Sequence, residues 1–211
     1  MQFGIFIYDG VEPIDLATFG VLSMARRIAP EIGICTIAPR PGLVTLANGL
    51  VVTADFGIDD APACDLVIVT GGPGWAAQAG SPATLDYIRR VHASRRIASV
   101  CTGGMILAAS GVLDGAPATT KREVVPPEAS PIEVMRATYP QIEVREAMLV
   151  EGPAGVVTGG GVTLCIDTTL HLLADALGEH VADETARIME YQRAWRANRE
   201  GFAPVLGTKK A

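Results

Sequence analysis

Short apolar runs alternate with amphipathic stretches along most of the chain. The apolar runs have the length of buried strands and predict strands at residues 3–8, 32–38, 65–70, 97–100 and 155–158. Apolar positions at helical spacing predict a helix opened by Pro13 and further helices at residues 84–94, 105–110, 164–177 and 182–198. Residues 43–54 predict a hairpin that turns at Asn48-Gly49. This alternation predicts an α/β fold, with helices on both faces of a mostly parallel sheet.

Glycines, carboxylates and one cysteine gather where the predicted strands end, at residues 9–15, 71–75, 101–104 and 158–161. In open parallel sheets, ligands bind at the carboxyl edge of the strands. We therefore expect one functional site on one edge of a single domain that spans residues 1–211. Residues 126–131 (PPEASP) are linker-like, but the stretch is short and no second domain is predicted after it.

The net charge and the apolar pattern of the chain argue against two classes of binding partner, nucleic acids and membranes. The formal net charge is −6 and the basic residues are scattered, which argues against nucleic-acid binding. The apolar runs are too short to span a bilayer, and the N-terminus lacks the pattern of a signal peptide. We therefore predict a cytoplasmic protein with a small-molecule substrate and no membrane partner. The four cysteines match neither a disulfide framework nor a zinc site, so no metal is predicted.

Cys101 lies where an apolar strand turns into a glycine pair, in the sequence RIASVCTGG. This order is typical of a nucleophile elbow, in which a sharp turn lifts the reactive side chain above the sheet. The helix that follows directs its amino terminus at the thiol, and this is expected to stabilise a thiolate. The alternative is a small buried hydrophobic residue, and that interpretation is applied to Cys35, Cys64 and Cys165.

The turn Gly71-Gly72-Pro73-Gly74 ends the neighbouring strand. Its glycines allow backbone N–H groups to approach a ligand, and together with the N–H of Thr102 they predict an oxyanion hole beside Cys101. Gly71, Gly72, Thr102 and Gly103 are therefore candidate substrate-binding residues. The alternative is a tight connection between a strand and a helix.

Two carboxylates, Glu12 and Asp15, open the first predicted helix. A buried carboxyl group there would have a raised pKa and could exchange a proton with the thiol. Asp15 is favoured because it sits deeper in the apolar pattern, although an acidic first turn also complements a helix dipole. Trp75 directly follows the glycine turn and is a candidate for the pocket wall or for an exposed dimer contact.

Four segments together resemble the ThiJ/PfpI superfamily: GIFIYDGVEPIDLATF, DLVIVTGGPG, IASVCTGGMILAASGVLDGAPATT and VVTGGGVTLCIDTTLHLL. They look most like the branch that holds isonitrile hydratases and the sensor domains of AraC-type regulators. The resemblance implies a flavodoxin-like three-layer sandwich and a homodimer. It also implies Cys101 as nucleophile, Asp15 as its acidic partner, and Gly72 and Thr102 at the oxyanion site. In isonitrile hydratases, the thiolate attacks the isonitrile carbon and water releases an N-substituted formamide, without a metal or an organic cofactor.

Two departures from the family shape the functional hypotheses. Peptidase members place a histidine directly after the cysteine, whereas this chain has Thr102, which argues against proteolysis. Many relatives in the nearest branch read Ala-Thr-Thr-His-Trp, whereas this chain has Lys121-Arg122 after the two threonines. The pocket wall or partner contact that the His-Trp pair supplies in those relatives is therefore altered here.

The first hypothesis is a cysteine-dependent hydratase or hydrolase, with isonitrile hydration as the specific reaction. The alternatives are a small-molecule or oxidative-stress sensor with a reactive Cys101 and, by family analogy, removal of glyoxal-type adducts.

Overall fold

A seven-stranded sheet forms the centre of the protein in the computed structural model, which describes residues 1–201. The part of the predicted domain beyond residue 201 lies outside the described residues. The strands of the described chain are β1 (Gln2–Phe6), β2 (Gly33–Ala38), β3 (Gly42–Thr45), β4 (Val51–Ala54), β5 (Phe56–Gly57), β6 (Leu66–Val69), β7 (Arg96–Ser99), β8 (Pro117–Ala118), β9 (Glu143–Val144), β10 (Leu149–Glu151) and β11 (Val157–Gly159).

The order of strands in the main sheet is β10-β11-β7-β6-β1-β2-β5. Neighbouring strands are parallel throughout, except that β10 runs antiparallel to β11 at one edge. The hairpin β3–β4 and the parallel pair β8–β9 lie outside this sheet. The central strands β1 and β6 are almost wholly buried, as expected for parallel strands that are covered on both faces.

Helices cover both faces of the sheet. They are α1 (Ala17–Ala25), α2 (Trp75–Ala79), α3 (Pro82–Ser94), α4 (Gly103–Ser110), α5 (Pro131–Thr138), α6 (Leu164–Leu177), α7 (Glu179–Ile188) and α8 (Gln192–Gly201). Helices α1, α6 and α7 pack against one another, and α4 packs against α2, α3 and α5. This confirms the predicted three-layer α/β sandwich. None of the helices within residues 1–201 is long and apolar enough to cross a membrane.

The elements differ from the predicted ones in several places. The hairpin at residues 43–54 is confirmed as β3–β4, whereas the predicted helix 182–198 is two helices, α7 and α8. The break falls at Glu190, whose φ of 57° lies in the left-handed region and ends a helix. The late strand begins at Val157 and not at residue 155, because Pro153–Gly155 is a 3-10 turn. The short elements that were not predicted are β5, β8, β9, β10, α2 and α5, and α5 begins at the last proline of the stretch interpreted as a linker.

Candidate active site

Cys101 lies in the tight connection between β7 and α4, where the sequence places a nucleophile elbow. Its φ of 51° is in the left-handed region, which is uncommon for a residue with a side chain. Two hydrogen bonds hold this conformation. The Cys101 N–H donates to the carbonyl of Gly160 at 3.0 Å, and the Thr120 hydroxyl donates to the Cys101 carbonyl at 2.8 Å. Three separate segments of the chain therefore fix the backbone that presents the thiol.

Two glycines allow the neighbouring strand ends to approach each other. A Cβ atom on Gly71 would lie 2.3 Å from the Thr102 nitrogen, and one on Gly103 would lie 2.1 Å from the Val69 carbonyl oxygen. Both distances are far below van der Waals contact, so only glycine fits at these two positions. The sequence identified these glycines as substrate-binding. Their packing role places the turn after β6 directly against the turn that carries Cys101.

The backbone N–H groups of the glycine turn are already hydrogen-bonded within the protein. The Gly71 N–H donates to Asp15 Oδ2 at 2.6 Å, and the Gly72 N–H donates to the Thr102 hydroxyl at 2.8 Å. The Thr102 hydroxyl in turn donates to the Gly72 carbonyl at 3.2 Å. Without a ligand, side chains therefore occupy the Gly71 and Gly72 N–H donors, and the oxyanion hole that they would form with the Thr102 N–H stays a prediction.

Asp15 is a fully buried carboxyl group on the 3-10 turn Pro13–Leu16. Its Oδ1 has no hydrogen-bond partner within the described chain, whereas Oδ2 accepts from Gly71. Burial raises the pKa of Asp15 to about 7, the Gly71 N–H opposes this rise, and the charge of Glu12 adds to it. The carboxyl group can therefore hold or release a proton near neutral pH, as the sequence predicted for a buried acid at this position.

The thiol of Cys101 is only 2% exposed. Burial and then the charge of Asp15 raise the pKa of Cys101 to about 12, while the Thr102 N–H and the charge of Lys121 lower it. The Thr102 N–H at the start of α4 favours the thiolate, as the sequence predicts, but burial and the charge of Asp15 have the larger effect and raise the pKa of Cys101 overall. The resting group is a thiol, and its reaction requires that its proton be moved.

A cavity of about 530 Å³ opens beside Cys101. Its walls combine charged, aromatic and backbone groups: Glu12, Gly72, Pro73, Trp75, Cys101, Thr102, Lys121, Glu128 and Val162. Trp75, at the start of α2, is thus a wall residue, which was one of the two roles considered for it. Asp15, Gly71 and Gly103 are not among the lining residues. The structure therefore brings Cys101, Thr102, Gly72 and Trp75 to one cavity, and Asp15 is buried outside its wall, where it bonds to Gly71 and its charge acts on Cys101.

Lys121 takes a place in the cavity wall, as the sequence departure at this position suggested. Its Nζ donates a hydrogen bond to the Glu123 carbonyl and lies 3.9 Å from Glu128 Oε1. Arg122 pairs instead with the side chain of Glu123, where its Nε lies 2.9 Å from Oε1. Glu128 comes from the segment interpreted as a linker, and no motif in the sequence marks it as a site residue.

Tyr8 is a buried neighbour of the site that sequence reasoning missed. Its hydroxyl donates to the Thr70 carbonyl at 2.9 Å, directly before the glycine turn. Burial and the charges of Asp15 and Cys101 raise the pKa of Tyr8 well above its usual value, so it stays protonated. The sequence did offer a signal for it, since Tyr8 ends an otherwise apolar predicted strand. A buried tyrosine needs a hydrogen-bond partner for its hydroxyl, and this need points to polar groups nearby.

The remaining cysteines lie away from the cavity wall and are free and buried. Within residues 1–201, no group of three or more His, Cys, Asp or Glu side chains is arranged to hold a metal ion.

Lys121→Met is expected to slow the alkylation of Cys101, because loss of the nearby positive charge raises the pKa of the thiol further. The rate is measured with iodoacetamide, and the modified peptide is identified by mass spectrometry. Arg122→Met is the matched control, since it removes the same charge from the adjacent position outside the cavity wall. Equal rates in Lys121→Met and the unmodified protein would contradict the assignment.

Comparisons with known proteins agree with this fold. The DJ-1/PfpI family profile matches residues 2–175. Isonitrile hydratase of Pseudomonas putida is 29% identical over 199 residues, which cover 92% of this chain and 80% of that protein. The HTH-type transcriptional regulator GbdR of Pseudomonas aeruginosa is 29% identical over 150 residues, which cover 71% of this chain and 39% of the regulator. A solved ThiJ/PfpI family protein from Pseudomonas syringae has a TM-score of 0.77 at 25% identity, covering 90% of this chain and 74% of that chain.

The family match covers most of the chain and includes β1, the glycine turn, the Cys101 connection and α6. The solved structure shares the mostly parallel sheet with helices around it. The chain therefore belongs to the DJ-1/PfpI family.

Proposed function

We propose that this protein is a cysteine-dependent hydratase that acts on a small molecule, with an isonitrile as the substrate. The observation that carries the proposal is the position of Cys101 in the wall of a 530 Å³ cavity, with the proton-exchanging Asp15 buried outside that wall. A cavity of this size suits a small organic substrate. Similarity to isonitrile hydratase over 92% of the chain supports the choice of reaction.

The proposed reaction starts from Cys101 as a protonated thiol. The sulfur of Cys101 bonds to the terminal carbon of the isonitrile, and the same carbon gains a proton to give a thioformimidate. Asp15 accepts the thiol proton and supplies the proton that reaches carbon, a role that its pKa of about 7 permits. Water then adds to this carbon, the carbon–sulfur bond breaks, and the thiol regains a proton. One isonitrile and one water become one N-substituted formamide.

Thr102 has two roles in this proposal. Its N–H group favours the charged form of the Cys101 sulfur, which helps the sulfur to lose its proton during attack. Its hydroxyl holds the Gly72 N–H and carbonyl, which keeps the glycine turn closed against the cavity. Trp75 supplies apolar surface for the substituent of the substrate.

The test is to incubate the protein with a simple alkyl isonitrile and, separately, an aryl isonitrile. We expect catalytic formation of the formamide, followed by nuclear magnetic resonance, and a Cys101 adduct when the reaction is quenched early. A folded protein that gives neither formamide nor adduct with either compound would contradict the proposal.

A second candidate, a small-molecule sensor, is favoured by one observation: the Gly71 and Gly72 N–H groups beside Cys101 are already occupied by side chains. The similarity to part of GbdR supports this alternative. A sensor would bind its ligand equally well after Cys101→Ala, whereas a hydratase would lose turnover.

The homodimer implied by the family resemblance stays a prediction.

A further inference from the structure

Two further thiols, those of Cys35 and Cys64, meet at the central sheet, away from the Cys101 cavity. Cys35 is on β2, and Cys64 directly precedes β6. The strand β1 runs between β2 and β6. Although one whole strand separates their backbones, the two Sγ atoms are only 3.7 Å apart.

Gly4 on β1 creates the space in which these sulfurs meet. It is the register partner of Cys35 in the pairing of β1 with β2. A Cβ atom at Gly4 would lie 2.9 Å from the sulfur of Cys64 and 2.8 Å from Cδ1 of Ile37. The absence of a side chain at this one position therefore lets the two thiols contact each other across the strand.

The contact activates one thiol of the pair. The hydrogen bond from Cys64 is the main cause that lowers the pKa of Cys35 to about 7, and the same contact together with burial raises the pKa of Cys64. The contact therefore favours a thiolate on Cys35 and a protonated thiol on Cys64. A thiolate beside a protonated thiol is the arrangement that precedes disulfide formation.

A small oxidant can approach this pair from the side of Cys64. Cys64 lines an open cavity of about 450 Å³, together with Tyr87, Arg90 and Val91 of α3. This cavity shares no lining residue with the one beside Cys101. Cys64 also lies in an irregular segment before β6 and not within a strand, so its backbone can adjust when the sulfurs approach.

We propose that Cys35 and Cys64 form a peroxide-oxidisable dithiol, a modification site separate from Cys101. The Cys35 thiolate attacks one oxygen of hydrogen peroxide and the O–O bond breaks, which gives a sulfenic acid and hydroxide; the hydroxide takes up the proton that the Cys35 thiol had released and becomes water. The Cys64 sulfur then attacks the Cys35 sulfur, the S–O bond breaks, and a second water leaves with the Cys64 proton. Two thiols become one disulfide as peroxide becomes two waters. The sulfurs must close from 3.7 Å to about 2.05 Å, and movement of Cys64 supplies this change.

The test uses the full chain carrying Cys101→Ala, so that the active-site thiol does not react. The protein is treated with a small excess of hydrogen peroxide and digested without reductant. We expect a peptide that joins Cys35 to Cys64, an intact mass lower by two hydrogen atoms, and reversal by dithiothreitol. Cys165→Ala in the same background is the matched control and should leave the joined peptide unchanged.

Single substitutions assign the two roles. Cys64→Ser is expected to leave a Cys35 sulfenic acid that dimedone labels, and Cys35→Ser is expected to remove both the label and the joined peptide. The proposal is overturned if Cys35 and Cys64 remain reduced under peroxide that oxidises Cys101 in the unmodified protein. It is also overturned if Cys35 proceeds to a sulfinic acid while Cys64 is present and no joined peptide forms.

Discussion

Cys101→Ala is expected to reduce isonitrile turnover by about a thousandfold or more, because it removes the atom that bonds to the substrate carbon. The substitution deletes one sulfur from a cavity wall and leaves the hydrogen bonds of the Cys101 backbone to Gly160 and Thr120 in place. The fold should therefore persist. Formamide production under steady-state conditions measures the effect, and thermal unfolding confirms that the variant is folded.

Cys165→Ala is the control for this experiment. Cys165 is also fully buried, and its thiol bonds to the Ile14 carbonyl near the site, but it is not part of the cavity wall. Its replacement tests whether losing any buried thiol in this region impairs the protein. We expect turnover close to that of the unmodified protein. Full activity in Cys101→Ala, or equal losses in both variants, would refute the assignment of the nucleophile.

Asp15→Asn is expected to remove a strong dependence of stability on pH. Burial raises the pKa of Asp15 from 3.8 to about 7, so the folded protein holds this proton over a range in which the unfolded chain has released it. This stability is fully present below the unfolded pKa and is lost as pH rises through the folded pKa. The cost of burying the charge reaches about 4 kcal/mol above neutral pH. Asparagine carries no charge and can still accept from the Gly71 N–H, so it should not lose stability over this range.

Urea unfolding at several pH values measures this difference. Relative to the unmodified protein, Asp15→Asn should gain stability as the pH rises from about 4 to about 8. Glu12→Gln is the matched control, because it removes a carboxylate from the same turn that is only partly buried. If Asp15→Asn follows the same pH dependence as the unmodified protein, Asp15 is not the buried acid that the structure indicates.

The variant Asp15→Asn also distinguishes the reactivity of the Cys101 thiol from catalytic turnover. The charge of Asp15 raises the pKa of Cys101, so Asp15→Asn should accelerate alkylation of the thiol at neutral pH. Turnover should nevertheless fall, because asparagine cannot carry the proton to the substrate carbon. An increase in both rates would show that Asp15 only restrains the thiol.

Residues at strand ends were the part of the site that the sequence predicted well. Cys101 and Asp15 lie where their segments suggested, because in parallel sheets the carboxyl ends of the strands share one edge. The raised pKa of Asp15 also follows from its place in an apolar pattern. The three-layer arrangement was predictable for the same reason, since β1, β6 and β7 are short apolar runs that each precede a helical segment.

Features that depend on side-chain pairing were not predictable in this way. The periodicity of the sequence does not show that the Thr102 hydroxyl occupies the Gly72 N–H, or that burial outweighs the helix start at Cys101. The contact between Cys35 and Cys64 requires the strand order together with the missing side chain at Gly4. The edge strand β10 has only three residues, which is too short for an alternating pattern to be read.

The hydrogen bond from the Cys101 N–H to the Gly160 carbonyl has a consequence for the synthesis of the protein. Asp15 and Gly71 leave the ribosome early, whereas Gly160 follows only after most of the chain has been made. A ribosome-bound chain that stops after α4 contains the thiol, the acid and the glycine turn, yet it lacks Thr120 and Gly160, which bond to the Cys101 backbone. The reactive geometry is therefore completed late in translation, after the other groups of the site have already emerged.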